Sequence, residues 1–329
     1  MNNRSIGVTV MGADTQVIVD KILQAEQSGI PAVWLTSGGV GLDPINVFTV
    51  AALKTSSIKM GTSIIPFWAR HPLALVQQVQ VLEHIAPERF RLGIGTGHKP
   101  AITGMYGMDF AKPLGRLKEY VEILKIILQK GEVDFQGQYF SAKAQIRQGS
   151  YKTPVMISAL RSGSFEMAGE ITDGAISWVC PGDYLKNIAI PAMQLGATKA
   201  GRDICPLITH APVCMTNNWE DVVMAAKKNL AVYPTLPFYL QMFAAAGYEN
   251  IKPGEWTEEM IDAVVLWGDE NRISERLNRL YEWGSGEVIV QPIPPEDNSD
   301  KVLLKTLSFI GEFSKSLACL LYTSDAADE

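Results

Sequence analysis

The sequence predicts an α/β fold, a single (β/α)8 barrel with insertions before its fifth and eighth strands. Eight short apolar runs recur along the 329 residues, and each has the near-continuous hydrophobicity of a parallel strand buried on both faces. Segments of helical periodicity separate these runs. Eight such alternations favour a closed barrel, which typically takes about 250 residues plus insertions. The alternative is an open doubly wound sheet.

The predicted strands and helices follow from the spacing of apolar residues. The strands cover residues 6–11, 32–35, 58–65, 90–94, 155–158, 174–179, 208–215 and 287–291. Proline in the pairs Asp43-Pro44 and His71-Pro72 marks two helix starts, because a first helical position needs no N–H donor. Apolar residues at helical spacing define one face of two helices: Leu75, Val79, Leu82 and Ala86, and Leu117, Val121, Leu124 and Leu128.

Two stretches interrupt the alternation. Residues 131–150, with Val133, Phe135 and Phe140 around Gly137, predict a β-hairpin or loop before the fifth strand. Residues 231–268 are rich in aromatic residues and prolines and predict a helical insertion before the eighth strand. Long insertions in barrels commonly cover the active face, so both are lid candidates. The alternative is packing against the barrel wall or a second subunit, and for the second insertion we favour the lid.

The last twelve residues, 318–329, differ in character from the helix before them. They read ACLLYTSDAADE and indicate no helical or strand continuation. This composition is typical of read-through from a cloning or sequencing adapter. We therefore interpret residues 1–317 as a single barrel domain and residues 318–329 as a non-native or disordered tail.

Composition and charge argue against several classes of function. Lysine and arginine number 29 against 35 acidic residues, and no basic run indicates nucleic acid as a partner. The four cysteines form no CxxC pair and have no ligand-like spacing to the four histidines, which argues against a metal site and suits a reducing cytoplasm. We see no signal-peptide pattern and no uninterrupted apolar segment approaching 18 residues. We expect a cytoplasmic homodimer that acts on a small molecule, without membrane or nucleic-acid partners.

In a barrel of this kind, the reactive groups lie at the carboxyl ends of the strands. Glycines 93, 95 and 97 end the fourth strand and allow a flat ring or a phosphate to approach the backbone, although such glycines also serve simple turns. Residues 158–164, after the fifth strand, open a helix with small and hydroxyl residues beside Arg161. Free N–H groups, the helix dipole and this cation favour an anion there. The alternative is a serine cap next to a surface arginine.

Five segments of the chain, in order, together carry a family resemblance. They are GTSIIPFWARHP (61–72), ERFRLGIGTGH (88–98), the helix led by Arg116, PVMISALRSGSFEMAGEITDGAI (154–176) and EVIVQP (287–292). Together they resemble the luciferase-like monooxygenase superfamily, and most closely its branch that depends on the deazaflavin coenzyme F420. The resemblance implies a barrel with a flavin-like ring lying across its mouth.

The resemblance also implies which residues bind the cofactor. It implies a non-prolyl cis peptide between Ser63 and Ile64, in a bulge of the third strand behind the ring. The loop after the fourth strand would lie beside the ring, and the segment after the fifth strand would hold the cofactor phosphate. The implied cofactor-binding residues are Thr36, Ser37, Ser63, Ile64, Gly95, Thr96, Gly97, His98, Ser158, Ala159, Leu160, Arg161, Ser162 and Trp178.

Two departures from the family pattern affect the expected chemistry. Many relatives carry glycines where this chain has Leu160 and Arg161. Relatives that oxidise sugar phosphates have an acidic residue and a histidine after the second strand, where this chain has Ser37 and Gly38. His98 is then the nearest candidate for catalytic proton transfer, since the ordinary pKa of histidine, about 6.5, suits that role. The alternative is that His98 only hydrogen-bonds the cofactor.

The leading interpretation is an oxidoreductase that moves a hydride between coenzyme F420 and an organic substrate. The alternatives are an FMN-dependent monooxygenase on the same barrel and, in another class, a non-catalytic flavin-binding barrel. A sugar-phosphate enzyme without flavin would have a phosphate site after strands seven and eight, where this chain has no glycine-rich loop. We expect a largely apolar substrate, because seven aromatic residues are candidates for the pocket rather than for the core or an interface: Phe67, Trp68, Trp178, Tyr233, Phe238, Tyr239 and Phe243.

Overall fold

Eight parallel strands close into a barrel in the computed structural model, which describes residues 4–249, 251–295 and 299–325. Together with four shorter or outlying strands, the described residues form twelve strands: β1 (Ser5–Thr9), β2 (Ala32–Leu35), β3 (Lys59–Thr62), β4 (Ile65–Pro66), β5 (Phe90–Gly95), β6 (Glu132–Gln136), β7 (Ser141–Gln145), β8 (Val155–Ser158), β9 (Ala175–Trp178), β10 (Leu207–Cys214), β11 (Leu266–Trp267) and β12 (Ser285–Pro292). Around the barrel they run β1, β2, β3, β5, β8, β9, β10 and β12, and β12 pairs with β1. The predicted barrel is confirmed.

Most of the helices surround the strands on the outside. The helices are α1 (Thr15–Gln27), α2 (Pro44–Lys54), α3 (Pro72–Ile85), α4 (Lys99–Met105), α5 (Pro113–Lys130), α6 (Ser162–Ile171), α7 (Gly182–Tyr184), α8 (Ile190–Lys199), α9 (Trp219–Asn229), α10 (Pro237–Ala245), α11 (Glu258–Val264), α12 (Glu270–Glu282) and α13 (Ser299–Asp325). Of these, α10 and α11 lie in the second insertion. Helices α2 and α3 begin at the predicted prolines, and the side chains of Asp43 and His71 accept hydrogen bonds from first-turn N–H groups. Within the described ranges, no helix is both long and apolar enough to span a membrane.

The third predicted strand differs from the prediction in its boundaries. Residues 58–65 are divided into β3 and β4 by Ser63 and Ile64, and the peptide bond between these two residues is cis. The Thr62 hydroxyl holds the end of β3 to the next strand, since it donates to the Gly93 carbonyl and accepts from the Gly93 N–H, both at 2.8 Å. The cis peptide bond between Ser63 and Ile64 confirms the prediction made for this strand.

The barrel interior holds its own small apolar cluster. Its buried members are Ala32, Trp34, Met156, Ile176, Ile208 and Ile289. Ile176 of β9 pairs in register with Ile208 of β10. Because side chains alternate along a strand, the residues two positions later on β9, β10 and β12 also face the interior, one layer nearer to the carboxyl ends. This layer reaches the mouth of the barrel.

The first insertion is the hairpin of β6 and β7, and it packs on the barrel wall. The Glu119 carboxylate of α5 accepts hydrogen bonds from the N–H groups of residues 138–140, at 2.8 to 2.9 Å. The Phe140 ring lies 5.5 Å from the Tyr120 ring, centroid to centroid. The hairpin therefore packs against the barrel wall and does not act as a lid.

Helix α13 overturns one expectation about the carboxyl-terminal residues. It runs from Ser299 to Asp325, so the expectation of no helical continuation at residue 318 is wrong. No glycine or proline follows Gly311 in this helix, and the backbone has no breaker there. A Cβ atom on Gly311 would lie 2.1 Å from the Ser28 carbonyl oxygen, so the helix packs closely against the end of α1. The interpretation of residues 318–329 as non-native stays a prediction.

Candidate active site

The predicted site residues gather at the carboxyl end of the barrel. They follow or end β2, β3, β5, β8 and β9, where the strands of a barrel open onto its mouth. The side chain of Ala159 packs in the outer core, so this residue offers only its backbone to the mouth. The others at this end are Thr36, Ser37, Ser63, Ile64, Gly95, Thr96, Gly97, His98, Ser158, Leu160, Arg161, Ser162 and Trp178.

Gly95 lets two side chains from neighbouring strands meet over β5. A Cβ atom on Gly95 would lie 2.3 Å from Ser158 Oγ and 2.7 Å from Ile64 Cδ1, so only glycine fits between them. We call Ile64, Gly95 and Ser158 the mouth floor. Beside it, the Ser63 hydroxyl is buried without a hydrogen-bond partner among the described residues.

The loop after β5 is held in place by Trp68. The Trp68 Nε1–H donates to the Thr96 carbonyl at 2.7 Å. The next residue, Gly97, has φ of 60°, in the left-handed region that favours glycine. This turn leads into His98, which immediately precedes α4. The loop therefore presents the His98 imidazole at the edge of the mouth.

His98 lies among aromatic rings of the second insertion. Its ring centroid is 6.1 Å from that of Tyr233 and 5.9 Å from that of Tyr239. Desolvation lowers the pKa of His98 below 6.5, although the residue as a whole is exposed. The imidazole is therefore neutral at pH 7 and able to accept a proton.

The second insertion covers part of the mouth. The rings of Tyr233 and Tyr239 are 4.9 Å apart, and the Tyr233 ring lies 5.7 Å from that of Trp178 at the end of β9. Burial raises the pKa of both tyrosines, that of Tyr239 well above 10. The insertion contacts the ends of β5 and β9 together, which is the position expected of a lid.

The segment after β8 presents the amino end of α6. The N–H groups of Leu160 and Arg161 donate to Ser164 Oγ at 3.1 and 3.2 Å, so these two backbone donors are already occupied. The N–H groups of Ser162 and Gly163 lie in the first helical turn and have no intrahelical acceptor. The predicted backbone donation is thus confined to Ser162 and Gly163.

Arg161 adds a cation beside this helix end. Its side chain is exposed, and its guanidinium lies 6.0 Å from the ring of Phe238 in α10. No acidic side chain of the described residues forms an ion pair with it. An anion at the amino end of α6 would therefore meet an unpaired positive charge.

Sequence reasoning missed two polar residues inside the barrel, His210 and Gln291. His210 lies two residues after Ile208 on β10, and Gln291 lies two residues after Ile289 on β12. Burial lowers the pKa of His210 to about 3, and a hydrogen bond with the Gln291 side chain opposes this shift. The available signal was a histidine inside a mostly apolar strand. Burying an ionisable side chain is costly, so such a residue is expected to have a role.

Two of the seven aromatic residues expected to line the pocket belong to the core instead. Phe67 is buried and its ring stacks on that of Trp68 at 4.5 Å, behind the loop after β5. Phe243 is buried against Tyr248 and Trp256 within the second insertion. The aromatic residues that reach the mouth are Trp178, Tyr233 and Tyr239, with Phe238 exposed at its rim.

In the part of the chain that the structure describes, we find neither a metal-binding cluster nor a reactive thiol. No group of three or more histidine, cysteine, aspartate or glutamate side chains there could hold a metal ion. Cys180, Cys205 and Cys214 are buried free thiols. Burial raises the pKa of Cys180 and of Cys214 to about 12, so both are protonated at pH 7 and lack the thiolate that a nucleophile needs.

The sequence matches a known family over most of its length. The family model described as luciferase-like monooxygenase matches residues 5–286. The 5,10-methylenetetrahydromethanopterin reductase of Archaeoglobus fulgidus is 27% identical over 314 residues, which cover 88% of this chain and 91% of that protein.

Solved structures share the whole fold. The coenzyme F420 dependent tetrahydromethanopterin reductase from Methanopyrus kandleri superposes with a TM-score of 0.75 at 22% identity, covering 95% of this chain and 98% of that one. The oxygenating constituent of 3,6-diketocamphane monooxygenase from Pseudomonas putida, in complex with FMN, has a TM-score of 0.71 at 18% identity, with the same coverage. Both structures therefore have the same fold as this chain.

Proposed function

Because the chain belongs to the luciferase-like monooxygenase family, we propose that it is an oxidoreductase that moves a hydride between coenzyme F420 and an organic substrate. Two similarities support the cofactor. The Methanopyrus reductase, which shares the fold, depends on coenzyme F420, and the Archaeoglobus reductase is similar over nearly the whole chain.

The observation that carries the proposal is the position of the mouth floor next to a free cation. Ser158 ends β8 as part of the floor, and Arg161 and the open amino end of α6 follow within the same loop. A deazaflavin with a phosphate-bearing side chain needs a flat surface and an anion site at a short distance from each other. The loop after β8 supplies both.

The residues at the mouth fit such a cofactor. When bound, it would supply or accept the hydride, while the protein orients the reactants and excludes water. Ile64 and Ser158 would support the ring from below, and the orphaned hydroxyl of Ser63 would gain a partner there. Arg161 and the Ser162 N–H would hold the phosphate. The other proposed contacts are Thr36, Ser37, Gly95, Thr96, Gly97, His98, Ala159, Leu160 and Trp178.

His98 is the residue that we propose for proton transfer. Its imidazole is neutral at pH 7 because desolvation lowers its pKa, and it lies at the edge of the mouth, open to solvent on one side. A neutral imidazole there takes a proton as the substrate is oxidised and returns it in the reverse direction. Solvent access lets the proton leave afterwards.

The proposed substrate is organic and largely apolar. Tyr233 and Tyr239 of the lid and Trp178 at the end of β9 form a group of aromatic rings in contact at the mouth. Arg161, which lies 6.0 Å from the Phe238 ring at this rim, would already be occupied by the cofactor phosphate. A ligand with a large apolar part therefore fits better than a second phosphate ester.

A titration of the purified protein with F420 and, separately, with FMN tests the cofactor. Binding is followed by the change in absorption and fluorescence of each cofactor. We expect F420 to bind and FMN to bind far more weakly. Equal or tighter binding of FMN would favour the monooxygenase, and failure to bind either cofactor would overturn the proposal.

The second candidate function is an FMN-dependent monooxygenase. The FMN complex of the diketocamphane enzyme, which has the same fold, favours it. Reaction with molecular oxygen belongs to the reduced flavin, so the two functions differ in which cofactor co-purifies. A barrel that binds a cofactor but does not turn over would show no hydride exchange with any substrate. We also propose a homodimer, which multi-angle light scattering would test.

A further inference from the structure

Three interior side chains form a polar layer directly above the apolar cluster of the barrel. Trp178 pairs in register with His210, as Ile176 does with Ile208 two residues earlier. Gln291 follows Ile289 on the neighbouring strand β12 by the same two-residue step. The layer therefore lies at the bottom of the mouth, deeper than His98 and on the side of β9, β10 and β12. No residue of it except Trp178 belongs to the proposed cofactor contacts.

Two polar atoms of this layer are buried without a partner. His210 is 4% exposed, and neither its Nε2 nor the Nε1 of Trp178 has a hydrogen-bond partner among the described residues. The two rings are in contact, with centroids 4.2 Å apart. Buried polar groups in proteins are nearly always paired, so an unpaired nitrogen on each of two rings in contact indicates a partner that the chain itself does not supply.

The surroundings of the two nitrogens are neutral. Desolvation keeps the His210 ring uncharged, and Gln291 is the only side chain of the described residues that opposes the effect on its pKa. The Tyr233 hydroxyl of the lid interacts with Trp178 but makes no hydrogen bond of normal geometry with its Nε1. An anion here would be buried without a countercharge, which is costly.

We propose that Trp178 Nε1 and His210 Nε2 bind one neutral oxygen atom of the substrate, a carbonyl or hydroxyl oxygen. The indole N–H donates only, and the neutral imidazole either donates or accepts, so the pair serves a ketone or aldehyde as well as an alcohol. The apolar remainder of the substrate then packs against Tyr233 and Tyr239. This inference deepens the proposed function, because it names the class of substrate that the oxidoreductase takes.

Gln291 is the polar side chain next to His210 in this layer. The Gln291 side chain lies close enough to the His210 ring to oppose the lowering of its pKa, while Nε2 of the ring has no partner among the described residues. The site therefore distinguishes oxygen-bearing substrates by hydrogen bonding, and a buried donor left unpaired disfavours analogues that lack the oxygen.

Three fluorinated probes of similar shape test this inference by ¹⁹F NMR titration: 4-fluoroacetophenone, 1-ethyl-4-fluorobenzene and 4-fluorobenzoate. They are titrated into the full-length protein with and without F420. We expect the ketone to bind about three- to tenfold more tightly than the ethyl compound, and the carboxylate to bind more weakly than the ketone. The preference should appear in at least one of the two states of the protein.

The variants H210F and W178F locate the preference. Each should reduce the ratio of ketone to ethyl affinity to nearly one, because the ketone loses a hydrogen bond that the ethyl compound never makes. W219F is the matched control, because Trp219 is a tryptophan of α9 whose Nε1 already donates to Glu258 on the outer surface. Circular dichroism checks that each variant is folded, and either of the two site variants suffices for the test.

Several results would overturn the inference. One is equal binding of the ketone and the ethyl compound in both states; another is a preference that survives in every folded site variant. Binding of the carboxylate at least as tight as that of the ketone would exclude a neutral ligand. The test is independent of the cofactor, since a ketone preference without any F420 binding keeps this inference and rejects the proposed cofactor.

Discussion

Arg91 of β5 and Glu287 of β12 form a two-point ion pair inside the barrel. Arg91 Nη2 donates to Glu287 Oε1 at 3.0 Å, and Arg91 Nη1 contacts Glu287 Oε2. The Trp34 Nε1–H donates to the same Oε1 at 2.8 Å, and the Arg91 guanidinium lies 4.3 Å from the Trp34 ring centroid. Both charged side chains are largely buried, below the interior apolar cluster and far from the mouth.

The first prediction concerns this ion pair. Glu287→Ala leaves the Arg91 charge and the Trp34 donor without their partner inside the barrel, and removing one member of a buried pair typically costs about 3–5 kcal/mol. We expect the free energy of unfolding, measured by urea denaturation, to fall by this amount. The control is Lys143→Ala, which breaks an exposed pair with Asp134 on the hairpin and should leave stability unchanged. A loss no larger than in the control would contradict the prediction.

The second prediction concerns the proposed phosphate site. Arg161→Ala removes the unpaired cation at the amino end of α6, and a charge-assisted contact is worth roughly 1.5–3 kcal/mol. We expect F420 to bind about ten- to a hundredfold more weakly, as measured by fluorescence titration. Arg147→Ala, an exposed arginine next to the hairpin on the wall, is the control and should bind normally. Unchanged affinity for the Arg161 variant at low and high salt would place the phosphate elsewhere.

The third prediction concerns the protonation of His98. Its pKa is lowered by desolvation, so more than half of the imidazole should be neutral at pH 6.5, and the midpoint of its titration should lie at lower pH. An NMR titration of the imidazole protons, with the signal assigned by the variant His98→Gln, measures this pKa. If His98 transfers the proton, oxidation of the substrate should slow as the pH falls through the same value, and the variant should be roughly 10²-fold slower or worse. A variant with the full rate would leave His98 as a hydrogen-bonding residue only.

The fourth prediction concerns stability at acidic pH. His210 has a pKa of about 3 in the folded protein against an ordinary value of 6.5, so below pH 6.5 the unfolded chain binds a proton that the folded chain does not. This contribution is fully present above pH 6.5 and is lost as the pH falls towards 3. Between pH 6.5 and pH 5, it should destabilise the wild type by at most about 2 kcal/mol.

The variant His210→Phe isolates this effect. It should lose less stability than the wild type over the same pH interval, as measured by urea denaturation at each pH. Tyr120→Phe is the control: it removes a buried hydroxyl without a partner whose pKa is raised by burial, and it should follow the wild-type pH dependence. Parallel curves for the wild type and His210→Phe would show that His210 is not buried in its neutral form.

The lid and the hairpin show where prediction from sequence reached its limit. Both insertions were recognisable, because Gly137 and the proline-rich stretch of residues 231–268 break a local pattern. Their positions were not, because an insertion can pack on whichever surface its apolar residues meet. Glu119 holds the hairpin on the wall, whereas Tyr233 and Tyr239 bring the other insertion over the mouth.

Local patterns in the sequence determined the eight strands, the helix starts at Pro44 and Pro72 and the group of residues at the strand ends, since each depends on neighbours within a few positions. Only the tertiary structure decided which side chains face the barrel interior. Strand register and closure bring together Arg91 with Glu287 and Trp178 with His210, and the members of each pair belong to different strands. A shift of one residue in any strand would turn these side chains outward, and no local pattern specifies that choice.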